Sequence, residues 1–344
     1  MAPGGTSPVA AATSRLKRLA AKVAVVPVAE AGYLAYRRTD STPRLAYAAM
    51  RRTFAVAPRA FERLARRAAR ESTERFGEHA APGILSGSID EALVALRRDG
   101  YHVLDELLPA AECDDLAHTA RRAVCMLVGA QPGTPARAHF DPEHPLAARY
   151  EVDERDVLES GAAQRLVADQ SVFELSRRYL GASPVQDLVT MWWSAAAGER
   201  GSSAAAQQFH FDLDRLRFVK LFVYLTDVDD HTGPHAFVKG SHTDLAPAFR
   251  AARRYGDDEV EPAYGDAVTY IKGPRGTMFL ADTRALHKGV TLDRGHRLVF
   301  QLQYSSSLFG APYTRPEIAN AVPELQLAQS QCPRAYRRFS LTTG

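Results

Sequence analysis

Cysteine is scarce in this chain. Its 344 residues hold three, Cys113, Cys125 and Cys332, an odd number at separations that fit neither a disulfide framework nor a zinc or dithiol motif. That excludes a small disulfide-stapled fold and makes a reducing cytoplasm the expected location. Long apolar runs are missing as well. The most apolar N-terminal stretch, Val23 to Val28, is interrupted by Pro27 and bracketed by Lys22 and Glu30, far short of the roughly 20 residues that cross a bilayer. Arg15, Lys17 and Arg18 are followed by too short an apolar run for a secretory signal. No basic segment is interleaved with aromatics, so nucleic acid is not an expected partner, and no internal repeat is present. What remains is 46% hydrophobic and 24% charged, an ordinary globular composition. The length suits one large domain with an appendage, or two domains.

A net charge of +3 conceals a division. Residues 1–84 carry 15 Lys/Arg against 6 Asp/Glu, and the remainder 28 against 34, so a basic extension joins a mildly acidic body. Residues 1–14, small and polar, are expected to be disordered. Residues 15–84 read as a helical extension, with Ala/Arg/Leu periodicity from Arg15 to about Tyr36 and from Thr42 to Phe76. Phe54, Phe61, Leu64 and Ala68 fall roughly on one face. The arginines of residues 15–76 either form a solvated helix face or meet an anionic surface, such as a membrane leaflet or an acidic carrier protein.

Ala80–Gly87 reads as a linker. A helix over Ser88–Arg98, capped by Ser88 and ended by Gly100, leads into a strand at Tyr101–Leu104. Pro109 opens a further helix, Ala110 to about Leu127. The proline-rich stretch Gly129–Tyr150 is too long for a connector and is expected to cover a site. Helices return over Asp156–Asp169 and Ser171–Leu180. Short β-branched or aromatic strands then follow at Val185–Ala195, Gln207–Asp212, Phe218–Asp227, Ala236–Lys239, Ala267–Ile271, Gly276–Ala281 and Arg297–Tyr304. Helices first and strands afterwards predict an α+β fold, a helical layer against a sandwich or barrel, with residues 311–344 as a tail packed on it.

The chemistry concentrates in His210-Phe211-Asp212. In a strand, residues two apart share a face, so His210 and Asp212 reach one metal together. His287, read as lying in a turn, supplies a second imidazole, and Asp293-Arg294-Gly295 reverses the chain so that Arg297 returns beside it. Two imidazoles and a carboxylate on one face leave positions open for an oxo acid and O2 at a non-haem Fe(II), and a guanidinium forks onto a carboxylate. Each part is weak alone: among 11 histidines, His231, His235, His242 and His296 compete for the second place.

Several ordered stretches resemble the phytanoyl-CoA dioxygenase (PhyH) family: Asp99-Gly-Tyr-His-Val-Leu-Asp105, Gln208-Phe-His-Phe-Asp-Leu-Asp214, the run from Val219 to Asp229, Gly233-Pro234, Gly240-Ser-His242, and Phe279 to Gly289 followed by Arg297. The similarity spans about residues 88–310. It implies a double-stranded β-helix (jelly-roll or cupin-like) core with flanking helices, using Fe(II), 2-oxoglutarate and O2. It implies further that His210, Asp212 and His287 bind iron, that Arg297 clamps 2-oxoglutarate, and that an unactivated C–H of a small acyl, sugar or amino-acid-derived substrate is hydroxylated with release of succinate and CO2. Related iron halogenases carry Ala or Gly where Asp212 stands, so oxygen insertion is favoured over halogenation. Lys220 and Tyr224, alternating on one strand, are candidates to help hold the cosubstrate, with ordinary sheet positions as the alternative. Asp214 is read as a rim or ligand-orienting carboxylate, Trp192 and Trp193 as facing opposite ways with one near the substrate mouth, and Cys113 and Cys125 as helix packing. Gly129–Tyr150, Ala195–Ala206 and Leu245–Glu261 are the expected mouth loops. Two rival functions remain: a catalytically silent β-helix binding protein recruited through its basic helices, and a cupin-like Zn or Mn site doing non-oxidative chemistry.

Overall fold

The computed structural model describes residues 8–72, 83–85, 87–130, 133–196 and 206–342, with side chains in the first helix from Ala24 onward. That helix, α1 (Pro8–Thr39), starts within the stretch expected to be disordered and runs through Pro27. The periodic stretch from Thr42 is two helices, α2 (Arg44–Val56) and α3 (Pro58–Ser72). Ala57 precedes a proline and leaves the helical region, and Pro58 opens the next helix, where its missing N–H costs nothing. Residues 73–76, and 80–82 and 86 of the expected linker, lie outside the described residues.

After α4 (Ile89–Asp99), closed by Gly100 at φ 87°, come β1 (Tyr101–Leu107) and α5 (Ala110–Arg122). The helix expected to reach Leu127 stops early, because Cys125 to Val128 form β2 and are drawn into a sheet. Cys125 therefore packs from a strand. The proline-rich region holds β3 (Arg137–Ala138) and ends in β4 (Arg149–Val152). The helix expected over Asp156–Asp169 is divided into α6 (Glu154–Val157) and α7 (Gly161–Ala168), since the Ser160 side chain accepts the N–H of Ala163 and caps a new start. Asp169 caps α8 (Gln170–Leu180) in the same way.

Strands β5 (Val185–Ala195), β6 (Phe218–Tyr224) and β7 (His235–Val238) precede α9 (Asp257–Tyr264), β8 (Val268–Ile271), β9 (Thr277–Ala281), β10 (His287–Gly289) and β11 (His296–Ser305). The tail forms β12 (Glu317–Ile318), α10 (Pro323–Gln331) and β13 (Ser340–Leu341). Eight strands pair in the order β1-β9-β6-β11-β5-β4-β2-β3, and a smaller sheet runs β10-β7-β8. These two sheets enclose the core of a double-stranded β-helix. Gln207–Asp212 is not a strand in this frame. It is an extended segment held by single bridges, Phe209 to Tyr255 and His210 to His287.

Alternation along the central strands separates two chemistries. On β11 Leu298, Phe300, Leu302 and Tyr304 join the core under the helices, together with Val189, Met191 and Trp193 of β5. The opposite face carries Arg297, Val299, Gln301 and Gln303 of β11, Trp192 and Ser194 of β5, and Lys220, Phe222 and Tyr224 of β6, in register across the sheet. This polar inner face is the wall of the site.

The N-terminal helices are built into the body. Ala29, Tyr33, Met50, Phe61 and Leu64 share one apolar cluster with Phe209, Phe211, Leu213, Leu286 and Phe309. Tyr36 Oη accepts the Leu308 N–H at 3.1 Å, and Thr42 Oγ1 accepts that of Gly310 at 3.0 Å. Arg67 and Arg37 pair with Glu71, and Arg217 of the body pairs with Glu62. The tail also joins the core through Leu325, Tyr336 and Phe339. Among the described residues no helix is long and apolar enough to cross a membrane.

Phe61 is fully buried between the extension and the Phe211 segment. Phe61→Ala is therefore expected to lower stability by about 3–5 kcal/mol, read as a shift in the urea midpoint. A loss below about 1 kcal/mol would show that the extension is not part of the folded unit.

Candidate metal centre

His210 and His287 face each other across a short antiparallel bridge. The His210 N–H donates to the His287 carbonyl at 2.9 Å, and the His287 N–H returns the bond at 2.8 Å. This pairing holds the two imidazole centroids 4.3 Å apart. His287, expected in a turn, is thus a strand residue on β10, and strand pairing positions it. Side chains of the extended segment alternate: Phe209, Phe211 and Leu213 enter the apolar cluster, leaving His210 and Asp212 on the other side. Phe211 lies 5.3 Å from Phe54 of α2, so the extension backs the segment that carries both residues.

The donor atoms converge. His210 Nε2 is 3.8 Å from Asp212 Oδ1, His287 Nε2 is 3.8 Å from Asp212 Oδ2, and the three ligand atoms lie within 4.8 Å of one another. His210 Nδ1 sits 2.9 Å from the Gln208 carbonyl and His287 Nδ1 3.0 Å from that of Ala285. Both Nδ1 atoms are therefore the protonated donors, and each Nε2 presents its lone pair to the common centre. Burial, reinforced by the neighbouring imidazole, pushes His210 down to about 3, and burial likewise lowers His287. Both rings are held in the neutral, metal-binding form. Burial alone would raise the Asp212 carboxyl, but Lys220 and the two imidazoles outweigh it and hold it well below the carboxylate range. Two imidazoles and a carboxylate with open positions suit non-haem Fe(II) better than a closed tetrahedral zinc site.

Asp212 is fixed from three directions. Its N–H donates to the Thr283 carbonyl at 2.8 Å, while Oδ2 accepts from Thr283 Oγ1 at 2.8 Å and from Lys220 Nζ at 2.7 Å. Lys220 is thus brought onto the triad. Tyr224 is not: its hydroxyl donates to the Ile271 carbonyl at 3.0 Å and accepts the His235 N–H at 3.1 Å. Burial raises this phenol to about 12.

Arg297 lies on the inner face of β11, 3% exposed, with Nη2 3.4 Å from Ser194 Oγ and its Nε and Nη1 buried without a partner among the described residues. Burial lowers it to about 10. Opposite is Gly289, where a Cβ would come within 3.1 Å of Nη2, so glycine leaves the fork clear. An orphaned buried guanidinium in a barrel that also holds a metal-donor set fits the carboxylate of an oxo-acid cosubstrate.

The competing histidines lie elsewhere. His231 pairs with Asp293 at the surface at 2.9 Å, His235 is enclosed by Phe222, Tyr224 and Phe279, and His296 sits 5.5 Å from both Phe140 and Trp193. His242 packs against Gly100. Asp214 accepts the Tyr47 hydroxyl at 2.9 Å, joining the rim to the extension. Trp193 stacks on Phe140 at 4.5 Å outside the barrel, whereas Trp192 faces inward with the Arg149 guanidinium 4.3 Å above its ring. Residues 197–205 of the expected mouth loop Ala195–Ala206 lie outside the described residues.

Thr283, Ser194, Arg149 and Arg254 belong to the site and were not singled out by the sequence. Thr283 stands inside the motif from Phe279 to Gly289, and its four-residue offset from His287 was the available signal. Arg149 had none, because only its cross-strand partner Ser194 places it beside Arg297.

The family described as Phytanoyl-CoA dioxygenase (PhyH) matches residues 96–291, ending short of Arg297. No curated protein sequence matches the chain. Among solved structures, HygX from Streptomyces hygroscopicus, with nickel and 2-oxoglutarate bound, is 17% identical at TM-score 0.46 over 69% of this chain and 93% of that one. AviO1 from Streptomyces viridochromogenes Tue57 is 16% identical at TM-score 0.45, over 66% and 98%. EctD from S. alaskensis, with 2-oxoglutarate and 5-hydroxyectoine, is 18% identical at TM-score 0.42, over 68% and 79%.

Two outcomes follow from this geometry. Thr283→Val removes one of the hydrogen bonds orienting Asp212 and is expected to weaken Fe(II) or Ni(II) binding by roughly 10–100-fold in a calorimetric titration; unchanged affinity would assign Thr283 a packing role only. In the metal-free protein the depressed imidazoles bind protons more readily when unfolded. Stability is then full above about pH 6.5 and falls as pH drops from there towards 3, which urea midpoints at pH 7.5 and 5 will show. A midpoint that rises on acidification contradicts it.

Proposed function

The chain belongs to the phytanoyl-CoA dioxygenase family of iron- and 2-oxoglutarate-dependent oxygenases, and from that premise we propose that it hydroxylates an unactivated C–H bond of a small molecule. The observation that carries this reading is an intact carboxylate at Asp212 sharing one barrel interior with the unpartnered guanidinium of Arg297. A carboxylate at that position occupies the place a halide would need, which favours oxygen insertion over halogenation.

His210, Asp212 and His287 would hold the iron, leaving one face open to cosubstrate and O2. Arg297 would fork onto the distal carboxylate of 2-oxoglutarate. When bound, iron supplies the oxidation itself: 2-oxoglutarate, O2 and a substrate C–H are converted to succinate, CO2 and a C–OH, one oxygen atom entering each of succinate and product. The chain's part is position and exclusion of water. Lys220 and Thr283 keep Asp212 aimed at the centre. Phe237 stacks on His287 with centroids 5.5 Å apart, and Phe222 and Phe279 lie face to face at 4.8 Å, so the barrel floor is apolar. Tyr224 takes a supporting role behind Arg297. In this reading residues 88–310 are the oxygenase unit, braced by residues 15–84 and by the tail 311–344. The substrate is an acyl, sugar or amino-acid-derived intermediate.

The silent binding protein has less support, because all three donors and Arg297 are intact and buried orphan nitrogens face the interior. Incubation with Fe(II), O2 and carboxyl-labelled 2-oxoglutarate separates the two, with labelled CO2 expected even without prime substrate, at a slow uncoupled rate. Background-level release across a substrate panel would favour the binding protein. Arg297→Met is expected to weaken 2-oxoglutarate binding by roughly 10–100-fold while leaving metal affinity unchanged. Equal cosubstrate affinity in this variant would remove Arg297 from its assigned role.

A further inference from the structure

Four cations surround the triad, and three have a counterpart in the reading above. Lys220 is bonded to Asp212, and Arg149 Nε lies 2.9 Å from Glu151 Oε1 with its guanidinium over Trp192. Arg297 is assigned to the cosubstrate. Arg254 is left over. It precedes Tyr255, whose backbone exchanges two hydrogen bonds with Phe209, at 3.0 and 2.8 Å, directly beside His210. The bridge pins the loop over the metal centre.

Arg254 Nη1 is buried without a partner, and its side chain makes no hydrogen bond or ion pair with any described residue. The adjacent Arg253 is different: it turns outward and is bound by Glu259 at 2.5 Å. The Arg254 charge disfavours the protonated forms of His210, His287 and Arg149 and is itself favoured by Asp212, so its head lies within electrostatic reach of all four. Asp212 attracts Arg254 but forms no ion pair with it, its oxygens being taken by Lys220, Thr283 and the metal position. Adding a divalent metal makes the neighbourhood more positive, and the cosubstrate's two carboxylates are taken by that metal and by Arg297. A half-buried guanidinium with no ion-pair partner among the described residues, close to Arg149, is costly unless an anion arrives with the remaining ligand.

We propose that Arg254 receives an oxyanion carried by the prime substrate, a carboxylate, phosphate or sulfate group, and so holds the reacting C–H beside the metal. The inference rests on the oxygenase reading above and narrows its substrate class to anionic small molecules. Arg254 then sets specificity, because a neutral analogue leaves the buried guanidinium unpaired.

The test compares wild type, Arg254→Gln and Arg254→Lys, each loaded anaerobically with Fe(II) and saturating 2-oxoglutarate. The visible charge-transfer absorption of the Fe(II)–keto-acid chelate reports cosubstrate binding. Acetate, inorganic phosphate and sulfate are then titrated as separate arms against chloride at matched ionic strength, with Tm as the readout. All three proteins are expected to show the absorption with equal 2-oxoglutarate affinity. At least one oxyanion should raise the wild-type Tm beyond chloride, its half-saturation weakening roughly tenfold in Arg254→Gln and less in Arg254→Lys. The same oxyanion response in wild type and Arg254→Gln overturns the proposal. So does a tenfold or greater loss of 2-oxoglutarate affinity in Arg254→Gln, which would make Arg254 a cosubstrate residue. Absence of the absorption in wild type sinks the oxygenase reading, and this one with it.

Discussion

Two backbone hydrogen bonds exchanged between His210 and His287 hold the site together, and much of the fold serves to keep that bridge in place. It is a single bridge outside any ladder on the His210 side, so it lacks the cooperative support a long strand would give. Support comes instead from outside it. Tyr255 grips Phe209 from one flank, Thr283 grips Asp212 from the other, and Phe54 backs Phe211 between them. An extended segment held at intervals is easier to bend into a facial arrangement than a continuous strand. His210 and Asp212, on one side of that segment, converge with His287.

The charge pattern around that bridge is unusual for a protein interior. Lys220 and Arg254 lie near Asp212, Arg149 pairs with Glu151, and Arg297 stands near Arg149, while the imidazoles are kept neutral by burial. Such a cluster is poorly compensated by the protein alone. On the reading proposed above, the barrel supplies cations and its ligands the opposing charge.

The ligand residues were legible in the sequence because they depend on short separations: His210 and Asp212 on alternation, His287 and Arg297 on one reversal. Strand periodicity predicted a sandwich or barrel, and the family resemblance alone implied the double-stranded β-helix. What the sequence concealed depends on long-range pairing. Arg149 acquires meaning only through Ser194, its partner across β4 and β5, and Arg254 only through the bridge from Tyr255 to Phe209. The N-terminal extension, expected as a basic appendage, also takes its place through long-range packing. Its arginines are conspicuous in sequence, while the apolar face that sets Phe54 against Phe211 shows its purpose only in the assembled molecule. Helix ends were misplaced where capping was local, as at Ser160, or where a sheet captured the chain, as at Cys125.

The ties from Tyr36 to Leu308 and from Thr42 to Gly310 close loops of 272 and 268 residues. The apolar face of the helices that back the ligand segment meets its counterpart only when residues near 310 are in place. Closing a loop of that length carries a large entropic cost, offset only when the distant contacts form together. Losing the contacts near residue 310 would therefore loosen the backing of the segment that carries His210 and Asp212.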